Sequence, residues 1–226
     1  MLNILILFFA LNSFALEQID ERISFIAPVA STVGTSSLWQ NPAGLGFLGG
    51  TETTFGYLYE KTNLGARHHI SGNLGLNFGM FTFGLGGYTK ASLSQESKNR
   101  LGTELSGILA SAINLGQLSL GLSAYKSHNF LSGKSTPTLL SLGFQARAWS
   151  FLSFGGLYQQ VGQHFFSTPN ITCGIAVRPF KEIITVGLDT RFKALNDQWE
   201  FLTEPIFSLK TEIQGFTLAL GAEIPG

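Results

Sequence analysis

Residues Leu118–Tyr125 run LSLGLSAY and sort cleanly onto two faces: Leu118, Leu120, Leu122 and Ala124 on one, Ser119, Gly121, Ser123 and Tyr125 on the other. Successive side chains of a β-strand point to opposite sides, so this octet is an extended strand, greasy on one side and polar or small on the other. Gly79–Tyr88, GMFTFGLGGY, repeats the alternation and also ends in tyrosine. The same period predicts strands near 51–60, 65–74, 79–88, 103–113, 118–125, 139–147, 151–160, 171–178, 183–192, 202–210 and 216–224. In the ninth of these Ile184, Val186, Leu188 and Phe192 share a face with Thr190 as the exception, while Ile183, Thr185, Gly187, Asp189 and Arg191 lie opposite. In the tenth Phe207 and Leu209, with Ile213 beyond, oppose Ser208, Lys210 and Glu212.

The connections predict two unlike ends. Leu115–Gln117, Ala148–Ser150, Pro179–Glu182 and Gln214–Gly215 are tight, whereas 89–102, 126–138 and 162–170 are longer and polar. Tyr59, Tyr88, Tyr125 and Tyr158 recur about once per hairpin at the downstream end of an alternating run. Segments of about ten residues with alternating faces, aromatic ends, short turns on one side and long loops on the other describe a membrane-spanning antiparallel barrel. The alternative, a soluble antiparallel barrel or sandwich, would also be mostly hairpins but has less reason to alternate its loop lengths so strictly. The parity of Tyr88 and Tyr125 complicates the aromatic belt, because both fall with the small and polar residues of their strands. Trp149, Phe151 and Phe180, beside tight turns, are candidates for a second aromatic girdle.

Composition agrees. Of 226 residues 27 are glycine, against a usual share of about 7%, and 12% are charged, about half the common proportion. Past the N-terminus no apolar stretch approaches the ~18 residues of a membrane helix, so a membrane-spanning form of this chain has to be a closed β-barrel, the other structure that satisfies every backbone group in lipid. Zero net charge argues against nucleic acid as a partner. The expectation is an all-β, transmembrane, antiparallel up-and-down β-barrel with about eleven visible strands over 51–226. An odd count and a terminus lacking an aromatic residue predict an incomplete barrel. Residues 1–15 read as a signal peptide, with an apolar core Ile4–Leu11 and Ser13-Phe14-Ala15 at the cut. The single cysteine, Cys173, excludes an internal disulfide and groups by alternation with Ile171, Ile175 and Val177.

Between signal and first strand, residues 16–50 form a separate piece, charged at Glu17, Asp20, Glu21 and Arg22 and then small and polar. It ends in Ser36-Ser37-Leu38-Trp39-Gln40-Asn41-Pro42-Ala43-Gly44-Leu45-Gly46, a compact turn in which Asn before Pro starts the bend and the glycines relax it. Asn41, Pro42, Ala43, Gly44 and Leu45 resemble the NPAGL element of outer-membrane barrels related to the long-chain fatty-acid transporters and to the PorV-like barrels of secretion systems, where it likewise precedes the first long strand. Ser31–Ser37 carries none of the acidic residues usual upstream of that element. The resemblance implies a barrel of the bacterial cell outer membrane with about fourteen strands and residues 16–50 as a plug or lining.

The functional expectation is a passive channel or transporter for hydrophobic or small solutes, with outer-membrane lipid around it. The alternative is a non-transporting barrel that anchors, or partners, a secretion or surface-attachment protein. Candidate lumen and ligand residues are Arg67, His69, Glu104, Arg147, Arg178, Asp189 and Arg191, whose mixed signs disfavour strong ion selectivity, and the loop residues Phe130, Leu131, Phe165 and Phe166, which could capture a greasy ligand or dip into the outer leaflet. His69, Ser71 and Asn73 alternate along one strand and so share a face. A His-x-Ser pair could serve a lipid esterase, but here it points to the lumen side, away from the lipid such an enzyme needs. No catalytic residue is therefore assigned. His68, His69, His128 and His164 lie near the loop end without the spacing of a metal site, and no cofactor is expected.

Overall fold

A computed structural model describes residues 29–62, 65–93, 104–130, 132–136, 138–160, 170–179, 183–195, 198–213 and 216–223. The signal peptide expected at 1–15, residues 16–28, and Leu131, His164, Phe165, Phe166 and Phe180 lie outside them. So do the side chains of Tyr59, Arg67 and Glu212.

The described strands form one antiparallel sheet. Its strands are β1 (Thr51–Thr62), β2 (Gly65–Phe78), β3 (Phe81–Leu93), β4 (Glu104–Asn114), β5 (Leu118–Asn129), β6 (Lys134–Ser135), β7 (Leu139–Trp149), β8 (Leu152–Gln160), β9 (Asn170–Val177), β10 (Ile184–Leu195), β11 (Gln198–Ile213) and β12 (Phe216–Glu223). They follow chain order, with two-residue β6 paired to β5 at the side of the path. All eleven alternating segments are thus strands, and β6 is an addition too short for periodicity to detect. Among the described residues β1 and β12 are the two ends of the path, and no helix is long and apolar enough to cross a membrane.

The alternation of connection lengths is less regular than the sequence suggests. β1 and β2, and β10 and β11, meet at the loop end across two residues each, 63–64 and 196–197, because ladder pairing continues to Thr62↔Gly65 and Leu195↔Gln198. β11 accommodates Pro205 in an irregularity where Thr203–Pro205 face Thr190 alone. Proline has no N–H for a ladder bond and is tolerated at such a bulge.

The two faces of the sheet are chemically distinct. Phe55, Ile70, Phe83, Leu85, Leu109, Leu120, Leu122, Leu142, Val186 and Phe207 are exposed on one. Thr82, Ser106, Ile108, Ala112, Ser119, Ser123, Tyr125, Gln145, Ser153 and Asp189 are buried on the other. Tyr88 and Tyr125 belong to this buried face, so neither is part of an outward aromatic belt; their parity prevails, undisturbed by any bulge in β3–β5. Tyr57 and Tyr158 do point outward. At the tight-turn end Phe78, Phe81, Trp149 and Phe151 are exposed, the last two stacked at 6.1 Å between ring centres. Cys173 is exposed, opposite Thr190 and Gly156 in the ladder.

Two tight turns use the same local code. Asn77 precedes Gly79, and Asn114 precedes Gly116. Each asparagine Oδ1 accepts the glycine N–H at 2.7 Å, and the glycines take φ of 81° and 85°, a left-handed conformation that costs other residues more.

Candidate functional site

The inner face is occupied by the chain's own N-terminal segment. After Val29 comes a 3-10 turn, Gly34–Ser36, a one-turn helix α1, Ser37–Gln40, and a second 3-10 stretch, Pro42–Phe47. Ala30, Thr35, Ser37, Leu38, Asn41, Ala43 and Leu45 are fully or almost fully buried. Asn41 explains the bend: extended at φ −151°, it closes α1 and caps the next turn by accepting Ala43 N–H, with Pro42 at the first position, where its missing N–H costs nothing.

Irregular backbone inside a sheet needs partners for its peptide groups, and inward polar side chains supply them from many strands. Glu52 on β1 accepts from Thr35 Oγ1 at 2.9 Å. On β2 Asn77 donates to Leu48 O and Asn73 accepts from Trp39 Nε1 at 2.9 Å. Asn114 on β4 donates to Gly46 O at 2.6 Å, Ser119 on β5 to Ala43 O at 2.6 Å, and Gln145 on β7 to Ala30 O at 2.8 Å. Asn41 Nδ2 donates to Val29 O at 2.8 Å and to Phe144 O of β7 at 3.1 Å. Asp189 on β10 accepts Val29 N–H at 2.9 Å. Because one short segment meets the inner faces of β1–β5, β7, β8 and β10, the sheet curves round it.

Close approach is possible because side chains are missing where the segment passes. A Cβ on Gly121 would lie 2.3 Å from Ala43 N, on Gly143 2.0 Å from Asn41 Oδ1, and on Gly155 2.5 Å from Val29 O. Gly121 and Gly143 are direct ladder partners, as are Gly75 and Gly84, which receive Leu48 and Leu45. Toward the loops Trp39 forms the top of the segment, its ring edge-on to Tyr88 at 5.6 Å and to Tyr125 at 6.0 Å. Above it Ser106 and Tyr125 hydroxyls sit 3.1 Å apart, and Glu104 accepts from Ser127 and, at 3.5 Å, from Tyr88.

The residues singled out in the sequence land in several places. Asn41, Pro42, Ala43, Gly44 and Leu45 are the centre of the plug. Arg147 lies over the Phe47 ring at 3.9 Å, a cation–π contact at the tight-turn end. Asp189 holds Val29, and Arg191, opposite buried Thr172, faces inward beside it. Arg178 directly follows β9 and donates its N–H to Phe151 O. Glu104 belongs to the network above Trp39. His69 is buried on the inner face and Ser71 alternates with exposed Ile70, so the pair faces away from the apolar surface a lipid hydrolase would use. Phe130 is exposed, with its ring 4.8 Å from that of His128. His68 instead meets Tyr57 at 2.7 Å, on the exposed face. Among the described residues no three His, Cys, Asp or Glu side chains are placed to hold a metal.

The sequence reading did not single out Asn77, Asn114, Ser119 and Gln145, and it weighed Asn73 only beside His69 and Ser71; all five receive the plug. Their signal was available: amides and a hydroxyl at inward parity, unusual for a strand because Asn is disfavoured there. In comparisons with protein-family models, curated proteins and solved structures, nothing matches this chain.

Proposed function

We propose that this chain is a β-barrel of the bacterial outer membrane and acts as a passive channel or transporter for hydrophobic or small solutes, held shut here by residues 29–48. The observation that carries the reading is the pairing of two faces. An apolar surface runs over neighbouring strands from Phe55 through Leu109, Leu122 and Leu142 to Val186 and Phe207, without a covering layer among the described residues. The largest apolar patch of a water-soluble monomer is roughly 300–600 Å² and is often functional; side chains of this size on nearly every strand suit hydrocarbon instead. The opposite face is polar and glycine-lined, the character of a lumen, and a separate segment stoppers it. A stopper held by side-chain hydrogen bonds from the wall can be released without breaking the sheet ladder, which favours a gate over a solid core.

A non-transporting anchor or partner subunit is favoured by the same stopper if it never moves. Reconstitution separates the two. Leu122→Arg should cost about 2–4 kcal/mol in lipid, the penalty for a cation at mid-bilayer on such a barrel, read as lost insertion into vesicles. Loosening the plug by Asn41→Ala should raise solute flux in a vesicle-swelling assay. Flux that stays at background in inserted, plug-loosened protein identifies the anchor. Wild-type protein that remains dissolved without detergent overturns the membrane assignment itself.

A further inference from the structure

Thr35 and Trp39 stand one turn apart in the N-terminal segment and so share a face. That face meets β1 and β2. Thr35 Oγ1 donates to Glu52 Oε1 at 2.9 Å, and the Thr35 N–H reaches the same oxygen at 3.4 Å. The carboxylate lies against Gly34, whose φ of 73° and missing side chain leave room for it. Two residues along β1, the Thr54 hydroxyl is 3.0 Å from Thr35 Oγ1, and Asn73 Nδ2 donates to Thr54 Oγ1 at 3.1 Å. Asn73 Oδ1 accepts from Trp39 Nε1 at 2.9 Å. Chemistry fixes the direction of every one of these bonds. An indole N–H can only donate, which orients the Asn73 amide, and a carboxylate can only accept, which orients the Thr35 hydroxyl. With the Thr35 proton committed to Glu52, the Thr54 hydroxyl must donate to Thr35. The chain therefore runs one way, from Trp39 through Asn73, Thr54 and Thr35 to Glu52.

We propose that Glu52 is the latch of the plug and that this one-way chain couples it to Trp39, so that releasing the carboxylate near the tight-turn end frees the indole beneath the loop-end network of Tyr88, Ser106, Tyr125 and Glu104. The latch rests on the reading of residues 29–48 as a gate and names the contact that holds it. Trp39 is the part with something to open, since its ring meets both Tyr88 and Tyr125 edge-on. Bonds in such a chain polarise one another, and each one here aims the donor of the next. Glu52 is also well placed to let go. It stands on β1, an end of the described strand path, whereas Asn114 and Ser119 hold Gly46 and Ala43 from strands in its middle.

The test uses the full chain in detergent with Trp149→Phe and Trp199→Phe, which leaves Trp39 as its one tryptophan, and acrylamide quenching reads how exposed that indole is. Glu52→Leu keeps bulk and removes the acceptor; it should raise the quenching constant at least about threefold, within the range of couplings carried by contiguous networks. Thr54→Val is close in shape and cuts the chain in its middle, so it should do the same while the tie between Thr35 and Glu52 stays. Glu52→Gln keeps an acceptor for Thr35 and should stay near wild type. Ser119→Ala removes a plug tie outside the chain and should leave Trp39 as it was. Unchanged quenching in Glu52→Leu or in Thr54→Val overturns the proposal. An equal rise in Ser119→Ala does so too, because the plug then loosens as a whole, and so does a rise in Glu52→Gln as large as that in Glu52→Leu. Quenching needs no solute flux, so the latch and the transport reading fail separately.

Discussion

The inner face of β1–β7 and the inner face of β8–β11 are lined by similar residues, glycine, serine, threonine and an occasional charge, yet they are used differently. On the first, Glu52, Asn73, Asn77, Asn114, Ser119 and Gln145 each meet an atom of the 29–48 segment, while Thr82 Oγ1 and Gln145 Oε1 are buried without a hydrogen bond among the described residues. On the second, Asp189 Oδ2 accepts the Val29 N–H of that segment. Ser153 Oγ, Ser208 Oγ and Asp189 Oδ1 are buried there without a hydrogen bond among the described residues. A buried polar group without a partner costs about 1–3 kcal/mol, and both halves carry such groups; what sets the first half apart is how many of its side chains bond the 29–48 segment. Facing inward is therefore a property of the strand, while being satisfied is a property of what lies opposite.

The sharpest way to break this contrast is to fill the space the segment uses. Gly143→Leu would put a side chain where the Asn41 amide sits, 2.0 Å from its oxygen at the Cβ alone, with Phe144 O and Pro42 alongside. A loss of about 3 kcal/mol is expected, the upper end of overpacking costs, measured by denaturant unfolding in detergent. Gly107→Leu, whose added Cβ would meet nothing within 4 Å, should stay within about 0.5 kcal/mol. Equal losses at the two glycines would mean that strand propensity, and not the plug, controls stability.

Asn41→Ala is the next largest. It removes the donor to Val29 O and Phe144 O and the cap on Ala43, leaving two buried carbonyls short of a partner. About 2 kcal/mol is the expected cost. Asn41→Asp should recover only the cap, because a carboxylate cannot donate to either carbonyl.

These variants also show where sequence reading reaches its limit. The strands were legible because a period of two survives any register: Leu118–Tyr125 names its own faces. The short asparagine turn at Asn41-Pro42 was legible for the same local reason. The orientation of Tyr88 and Tyr125 was legible too, once parity is preferred over the expectation that tyrosines sit at a membrane boundary; they face inward because Trp39 is there to meet them. The partners of Asn77 and Asn114 were not legible. Each asparagine forms a local turn with a glycine two residues on, which accounts for it fully, and its second bond joins residues 29 and 68 positions away in sequence. Likewise Gly121 and Gly143 read as flexible residues within strands, and only the fold shows that they are adjacent and that Pro42 and Asn41 pass over them.

Asp189 offers the smallest effect and the most direct probe of the less occupied half. Asp189→Asn keeps an oxygen that can accept Val29 N–H, so the tie at 2.9 Å survives with a neutral acceptor in place of a charged one. Bonds to charged groups exceed neutral ones by up to about 1.5 kcal/mol, and removing a buried charge recovers part of that through relieved desolvation. The net change is therefore expected at about 1 kcal/mol or less, below Asn41→Ala, with Asp189→Ala falling between them because Val29 N–H then loses its acceptor. Hydrogen exchange at the Val29 amide reads the tie itself: near wild-type protection in Asp189→Asn and clear loss in Asp189→Ala. If Asp189→Asn instead destabilises as much as Asn41→Ala, the charge is engaged with more than Val29, and the β8–β11 half is as firmly bonded as its counterpart.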